Sequence, residues 1–267
     1  MRIKCKEQNI KILLQGDTHG NKAAILGAFS AAEKSGAELV VVVGDFGYGW
    51  DGTYANGSPW LYFVSKQTKN YNVPLMWLDG NHENFDLLEA EGAFGAEGTK
   101  DVAPGVTYVP RGMVLTLGSS NVLFMGGAYS VDKPRRTPHV SWWPQEEITG
   151  ADFERMAQNV EYTDRPVDIV LTHDAPDVAF RAALRLAAES DEDMEHLVWK
   201  NDQSFPGAKH NRMTLQAIYD FLKPKPALWV HGHYHTHYTA RVSQGQTTEF
   251  VGLSWENNQN SRMVIEV

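Results

Sequence analysis

The chain is almost free of cysteine, which limits its covalent structure and its choice of metal ligands. Cys5 is the one cysteine among 267 residues, so no disulfide can form within the chain, and cysteine is left out of the expected metal ligands. A run of roughly 18 uninterrupted apolar residues is also absent, so no membrane-spanning helix is predicted. Residues 1–11 are charged and lack the apolar stretch of a secretory signal, so we expect a cytoplasmic protein.

Basic residues are scarce relative to acidic ones. The sequence holds 24 lysines and arginines against 33 aspartates and glutamates, a net charge of −9 with histidine neutral. An acidic balance disfavours, without excluding, a long nucleic acid as partner. A small phosphate-bearing substrate is compatible with it, because two bound divalent cations would add about +4 of charge locally.

Internal repeats and low-complexity linkers are missing as well, so we predict a single domain over residues 1–267. The first half alternates apolar runs with helical patterns, the order expected of parallel strands with helices on the sheet faces. The predicted strands there span residues 12–14, 39–43 and 75–78, and the predicted helices span 21–35 and 59–69.

The second half is predicted as a further set of short strands with a few helices. Its predicted strands are 107–110, 113–117, 122–125, 169–171, 228–230, 238–242, 248–251 and 263–267. Its predicted helices begin at Trp142 and Arg212, and residues 179–188 are also helix-like. Close spacing and glycines favour antiparallel pairing of the first three strands. The sequence therefore predicts an α/β fold, a four-layer αββα sandwich of two mixed β-sheets flanked by helices, with an exposed insertion around residues 177–211.

Five short polar clusters stand directly after apolar runs. Aspartate, histidine and asparagine at strand ends are ligands for divalent metals, and seven such groups with one shared aspartate suffice for two ions. We therefore expect a dimetal site at the carboxyl ends of the strands. The clusters are Asp17-Thr18-His19, Gly44-Asp45, Gly80-Asn81-His82-Glu83, Thr172-His173-Asp174 and His231-Gly232-His233-Tyr234-His235.

In order and residue type, these clusters resemble the signature of the calcineurin-like metallophosphoesterase family: Asp-x-His, Gly-Asp, Gly-Asn-His-Glu/Asp, a lone His and Gly-His-x-His. The resemblance runs from Asp17 to His235. It implies two divalent metal ions, with manganese expected here and iron or another transition metal as the alternative. It also implies the ligands: Asp17, His19, Asp45 and His235 for one ion, and Asp45, Asn81, His173 and His233 for the other, with Asp45 bridging.

His82 belongs to the motif without being a ligand. The resemblance implies that it faces the leaving-group oxygen as a general acid, beside the catalytic Asp45 that holds both ions. Glu83 is expected to accept local hydrogen bonds, and His231 and His237 to have supporting roles. Trp50 is expected to pack rather than to stack on a base.

Two departures from the protein phosphatases of this superfamily bear on the substrate. Tyr48 stands where those enzymes carry the aspartate that orients the histidine acid, and Asp79 precedes Gly80 where they carry an arginine. Protein phosphatase activity is therefore not expected. The missing positive charge is expected from the glycine-rich, basic residues 126–136, where Lys133, Arg135 or Arg136 would bind the substrate phosphate together with Asn81. A solvated basic loop is the alternative.

These features favour a phosphoric diester hydrolase acting on small phosphodiesters, cyclic nucleotides first, by in-line attack of a metal-bridging hydroxide. The alternatives are a nuclease of the same fold, a phosphomonoesterase and a catalytically degenerate metal-binding scaffold. The acidic charge argues against the nuclease, and the complete ligand set with His82 argues against the scaffold.

Overall fold

The computed structural model describes residues 9–50 and 58–267, so Cys5 lies outside the described residues. The strands are β1 (Lys11–Gln15), β2 (Leu39–Val43), β3 (Leu75–Leu78), β4 (Lys100–Ala103), β5 (Val106–Tyr108), β6 (Met113–Leu117), β7 (Ser120–Met125), β8 (Ile169–Thr172), β9 (Leu228–His231), β10 (Tyr238–Gln244), β11 (Gln246–Gly252) and β12 (Arg262–Glu266). The α-helices are α1 (Lys22–Ser35), α2 (Pro59–Tyr71), α3 (Phe85–Ala90), α4 (Gly150–Glu161), α5 (Asp177–Ala187), α6 (Asp191–Ser204) and α7 (Pro206–Phe221).

The strands form two six-stranded mixed sheets. The first has the order β12-β1-β2-β3-β5-β4 and the second β10-β11-β9-β8-β7-β6. In each sheet the four inner strands run parallel, and the two edge strands pair with them antiparallel. The mixed sheets agree with the prediction.

Strand β2 shows how the layers are held together. All five of its residues are buried, because apolar material covers both faces of the strand. Val40 and Val42 belong to the core that joins the first sheet to α1 and α2. Val41 and Val43 instead pack between the sheets, in a core that also holds Phe124 of β7.

A third core lies on the outer face of the second sheet. There Met156 of α4 and Leu215 of α7 pack with Trp229 of β9, and all three are fully buried. The order of layers is therefore helices, sheet, sheet, helices, which confirms the predicted αββα sandwich.

Capping residues set the ends of α1. The Asn21 side chain accepts hydrogen bonds from the Ala23 and Ala24 amides at 2.8 and 3.3 Å, which satisfies donors that have no partner within the helix. Gly36 ends the helix with a φ of 70°, a left-handed conformation that glycine adopts at little cost.

Two strand pairings differ from the prediction. β5 was expected beside β6 but pairs parallel with β3 in the first sheet, so the chain changes sheets between the two strands. β12 was grouped with the second sheet but pairs antiparallel with β1. Apolar alternation indicates a strand and its buried face, but it carries no information on which edge the strand joins.

The helix predicted from Trp142 begins later than expected. Residues Pro144–Glu146 form a short 3-10 helix, and α4 starts at Gly150 after the N-cap Thr149. Glu146 is fully buried, and one of its carboxylate oxygens accepts a hydrogen bond from the Trp143 amide at 3.1 Å. The Glu146 side chain points into the protein, whereas the first residues of α4 face solvent, so the turn does not continue directly into the helix.

Residues 177–211, expected as an exposed insertion, form α5, α6 and the beginning of α7, and α5 coincides with the helix-like residues 179–188. Within α6, Trp199 is 59% exposed, whereas Val198 is 3% exposed. The polar segment is therefore helical, with one face packed on the domain. Across residues 9–50 and 58–267, no helix combines the length and apolar character needed to cross a bilayer.

Candidate metal centre

The five polar clusters meet at the carboxyl ends of parallel strands from both sheets. β1, β2 and β3 run parallel in the first sheet, and β8 and β9 run parallel in the second. The loops after these strands approach very closely. A Cβ on Gly44 would lie 2.1 Å from His173 Nδ1, and one on Gly80 would lie 2.1 Å from Asp45 Oδ1. The motif glycines are therefore needed for the loops to converge.

Four predicted ligands lie together on one side of the centre. One donor atom from each of Asp17, His19, Asp45 and His235 falls within 4.8 Å of the others. His235 Nε2 is 3.0 Å from Asp17 Oδ2, and His19 Nε2 is 3.1 Å from His235 Nε2. This is the set that the resemblance assigns to the first ion.

His173 and Asn81 approach the second oxygen of Asp45, and His233 lies beside His173. His173 Nε2 lies 3.2 Å from Asp45 Oδ1 and 3.2 Å from Asn81 Oδ1. The His233 ring lies 5.1 Å from the His173 ring. Since His19 Nε2 is 3.7 Å from Asp45 Oδ2, the two oxygens of Asp45 face different groups of side chains, an arrangement that is compatible with a bridging carboxylate.

The backbone at several of these residues is strained. His19, Asp45, His233 and His235 all have positive φ values, from 48° to 67°. Left-handed backbone costs a non-glycine residue of order 1–3 kcal/mol and persists where the surrounding structure imposes it, often at functional sites. The strain thus falls on four of the seven predicted ligands.

Electrostatic interactions between the acids and the imidazoles shift the pKa values of both. Burial acts to raise the pKa of Asp45, but His173 and His82 outweigh it and hold that pKa well below its usual value. Burial acts to lower the pKa of His173, but Asp45 and Asp17 raise it to about 10. Ion binding would displace that proton from His173, because imidazole ligates metals in its neutral form.

The donor set fits divalent transition metals. Asp17 and Asp45 are buried acids whose carboxylates face imidazole nitrogens, and the amide oxygen of Asn81 faces the His173 imidazole. Mixed imidazole, carboxylate and amide ligands suit manganese or iron better than a site made of oxygens alone. Buried charges of this density are found where they coordinate metals or pair with one another.

His82 lies beside the centre with two further side chains. Its Nε2 is 4.0 Å from Asp45 Oδ2 and 3.1 Å from Arg136 Nη2. The ring of Trp50 lies 4.6 Å from the His82 ring, and the Arg136 guanidinium stands 5.3 Å from the Trp50 ring centre. Trp50 therefore packs against His82 and Arg136.

The three basic side chains predicted to bind phosphate occupy different environments. Arg136 reaches His82 and is held by Asp132, whose carboxylate is 2.8 Å from Arg136 Nε. Lys133 pairs with Glu147 at 2.9 Å, and Arg135 is exposed. The basic segment thus brings one of its three cations to His82.

The other motif residues have supporting positions. Glu83 accepts hydrogen bonds from the amides of Phe46, Gly47 and Tyr48 at 2.7, 3.0 and 2.6 Å, as expected of a local acceptor. The Nε2 atom of buried His231 lies 2.6 Å from the Tyr238 hydroxyl, and the Nδ1 atom of exposed His237 lies 3.0 Å from the Gly252 carbonyl oxygen.

The two departures from protein phosphatases have structural roles. The hydroxyl of Tyr48 donates a hydrogen bond to Glu91, and its ring stacks on Trp77 at 5.4 Å. Asp79 is buried and forms an ion pair with Arg111 at 2.6 Å. Neither side chain serves His82 or a phosphate position.

Three residues near the centre were missed by sequence reasoning. Ser130 Oγ lies 3.0 Å from Asn81 Nδ2, and Ser130 donates in turn to Glu146. Trp255 stacks almost parallel on the His235 ring, 4.7 Å away. Ser130 stands within the glycine-rich segment already singled out, which was a usable signal, whereas Glu146 and Trp255 belong to no motif.

A family model described as calcineurin-like phosphoesterase matches residues 10–237. Among solved structures, a dimetal phosphatase from Danio rerio is similar with a TM-score of 0.52 and 13% identity, covering 93% of this chain and 88% of that one. The protein TT1561 of Thermus thermophilus is similar with a TM-score of 0.51 and 12% identity, covering 92% of this chain and 89% of that one. At these identities the likeness concerns the fold. No curated protein matches the chain.

Proposed function

Because this chain belongs to the calcineurin-like phosphoesterase family, we propose that it is a binuclear phosphodiesterase that hydrolyses small phosphodiesters, cyclic nucleotides first. The main support for this proposal is the position of Asp45, whose two carboxylate oxygens face different groups of predicted ligand atoms. One shared carboxylate lets two cations stay close, because its charge offsets their repulsion.

The proposed ligands follow the two groups around Asp45. Asp17, His19 and His235 would complete one position, and Asn81, His173 and His233 the other. Divalent ions bound there, with manganese proposed, would polarise the phosphoryl oxygens and activate water. The chain itself fixes the donors in space through the strained backbone and the close glycine contacts described above.

His82 and Arg136 are the proposed substrate contacts beyond the ligands. The planar guanidinium of Arg136 can bind two phosphate oxygens at once, and its 3.1 Å distance from His82 Nε2 supports a role beside the proposed leaving group. A phosphodiester carries one negative charge where a monoester dianion carries two. Among the described residues, Arg136 is the one arginine or lysine within hydrogen-bond distance of His82, and a single nearby cation favours the diester.

Cyclic nucleotides are favoured because a partly exposed aromatic ring borders the centre. Trp255 stacks on His235 and is 36% exposed. Stacking of a base on an aromatic side chain contributes about 1–3 kcal/mol. A nucleobase attached to the scissile phosphate would find such a surface here.

The test is a substrate panel on manganese-loaded protein, with Arg136→Ala beside the matched control Arg135→Ala. The panel holds cyclic nucleotides, an aryl phosphodiester, an aryl phosphomonoester and an oligonucleotide. We expect diesters to be hydrolysed fastest, Arg136→Ala to lower kcat/KM by about 10–100-fold, and the control to stay within about twofold.

Three results would contradict the proposal. Faster turnover of the monoester would assign a phosphomonoesterase, and salt-sensitive cleavage of the oligonucleotide above all small diesters would assign a nuclease. Full metal loading without turnover of any substrate in the panel would indicate a metal-binding scaffold without catalytic activity.

A further inference from the structure

We propose that Ser130 and Glu146 fix the orientation of the Asn81 amide, so that its oxygen rather than its nitrogen faces the second metal position. The inference rests on the proposed function in taking Asn81 as a ligand. It makes Ser130 and Glu146 positioning residues that act through Asn81.

A continuous hydrogen-bonded chain connects the three side chains. Asn81 Nδ2 donates to Ser130 Oγ at 3.0 Å, and Ser130 Oγ donates to Glu146 Oε2. At the other end, Asn81 Oδ1 is 3.2 Å from His173 Nε2. Asn81, Ser130 and Glu146 are 3%, 2% and 0% exposed, so water competes little for these bonds.

The chain matters because an asparagine amide has two ends of nearly equal size and opposite polarity. Its oxygen can ligate a cation, whereas its NH2 group cannot. A flipped Asn81 would turn its oxygen toward Ser130, whose single proton is already donated to Glu146. Two acceptors would then face each other in a buried site, which costs of order 1–3 kcal/mol.

The selection operates while Glu146 is ionised, because the Ser130 proton is then committed to Glu146 and Ser130 can only accept from Asn81. Burial raises the pKa of the Glu146 carboxyl to about 8, and a protonated Glu146 would donate to Ser130 and free the hydroxyl proton for a flipped Asn81 oxygen. Two cations bound nearby would favour the ionised form of Glu146.

Glu146 is held firmly enough to serve as an anchor. Its Oε1 accepts from the Trp143 amide at 3.1 Å, and its carbonyl oxygen accepts from the Ala128 amide at 2.9 Å. The segment that starts at Gly126 then carries Ser130 to Asn81 and Arg136 to His82. One loop therefore contacts two consecutive residues of the centre.

The experiment measures manganese binding by calorimetry and by metal analysis after dialysis. The variants are Ser130→Ala, the conservative Ser130→Thr and Glu146→Gln, with Ser119→Ala in the exposed β6–β7 turn as control. We expect Ser130→Ala to weaken one of two sites by about 10–100-fold. Ser130→Thr keeps the hydroxyl and should stay within about threefold of the unmodified protein. In Glu146→Gln the Trp143 amide needs the glutamine oxygen, so the NH2 group faces Ser130 and frees its proton for a flipped Asn81; we expect the same site to weaken by about tenfold.

A double-variant cycle separates orientation from general structural support. Asn81→Asp places an oxygen at both ends of the side chain, so no orientation is left to fix. In that background Ser130→Ala should change manganese affinity by less than about threefold. An equal loss in both backgrounds, or no loss from Ser130→Ala alone, overturns the inference. Turnover plays no part in the readout, so a protein that binds two ions but hydrolyses no phosphodiester contradicts the proposed function alone.

Discussion

Replacing Asp79 by alanine should destabilise the protein by about 4 kcal/mol, because it leaves a buried arginine without its main counter-charge. Arg111 is 1% exposed. Its Nε and Nη2 atoms lie 2.8 and 2.6 Å from Asp79 Oδ2. The other carboxylate oxygen accepts from the buried Tyr108 hydroxyl at 2.7 Å.

The magnitude follows from these contacts. Breaking a buried ion pair by removing one partner costs about 3–5 kcal/mol, and Arg111 keeps weaker support from Asp152 at 3.4 Å and from the Gln145 carbonyl at 2.6 Å. That places the charge contribution near the lower limit, about 3 kcal/mol. The lost acceptor of Tyr108 adds about 1 kcal/mol.

Equilibrium unfolding in urea, followed by fluorescence, measures this cost. The matched comparison is Asp79→Leu alone against Asp79→Leu with Arg111→Met, which removes both charges. Replacing a whole buried pair by apolar residues is often neutral, so the double variant should recover at least about 2 kcal/mol over the single one. A cost below about 1 kcal/mol for Asp79→Ala, or no recovery in the double variant, would refute the reasoning.

Two further predictions concern the edges of the centre. Glu83→Ala removes an acceptor shared by three buried amides, so we expect the free energy of unfolding in urea to fall by about 3 kcal/mol or more. Manganese binding should also weaken, because the same turn carries Asp45. Unchanged stability would contradict this prediction. Trp255→Ala should raise KM for a cyclic nucleotide by about 5–100-fold through lost stacking, measured beside Trp199→Ala on α6, and equal KM values for the two variants would show that Trp255 holds no base.

The strand ends were predictable because local sequence determines them. β2 is a run of five apolar residues followed directly by Gly44 and Asp45, and parallel strands bring such ends to one edge of a sheet. The convergence of Asp17 and Asp45 therefore follows from periodicity, whereas the arrival of His173 from the second sheet was implied by the resemblance to the family signature. Pairing of β12 with β1 does not, because it depends on two segments about 250 residues apart that any edge could accept.

The surroundings of the motifs were beyond prediction for a different reason. Ser130, Glu146 and Trp255 are separated from their partners by 49, 16 and 20 residues in the chain, counting from Asn81, Ser130 and His235 respectively. Each contact depends on how a loop folds back, and a loop path is set by packing rather than by residue type. The basic segment was recognised as a source of charge, but selecting Arg136 from its neighbours required the turn formed by residues 133–135.

The central claim is that two ions share Asp45, and manganese titration of the unmodified protein beside Asp45→Ala tests it most directly. Asp86→Ala is the control, an acid that pairs with His139 at the surface. We predict two ions per chain for the unmodified protein and for the control, and loss of both sites in Asp45→Ala together with at least about a 100-fold fall in phosphodiester turnover. One ion in the unmodified protein, or two retained in Asp45→Ala, would contradict the account.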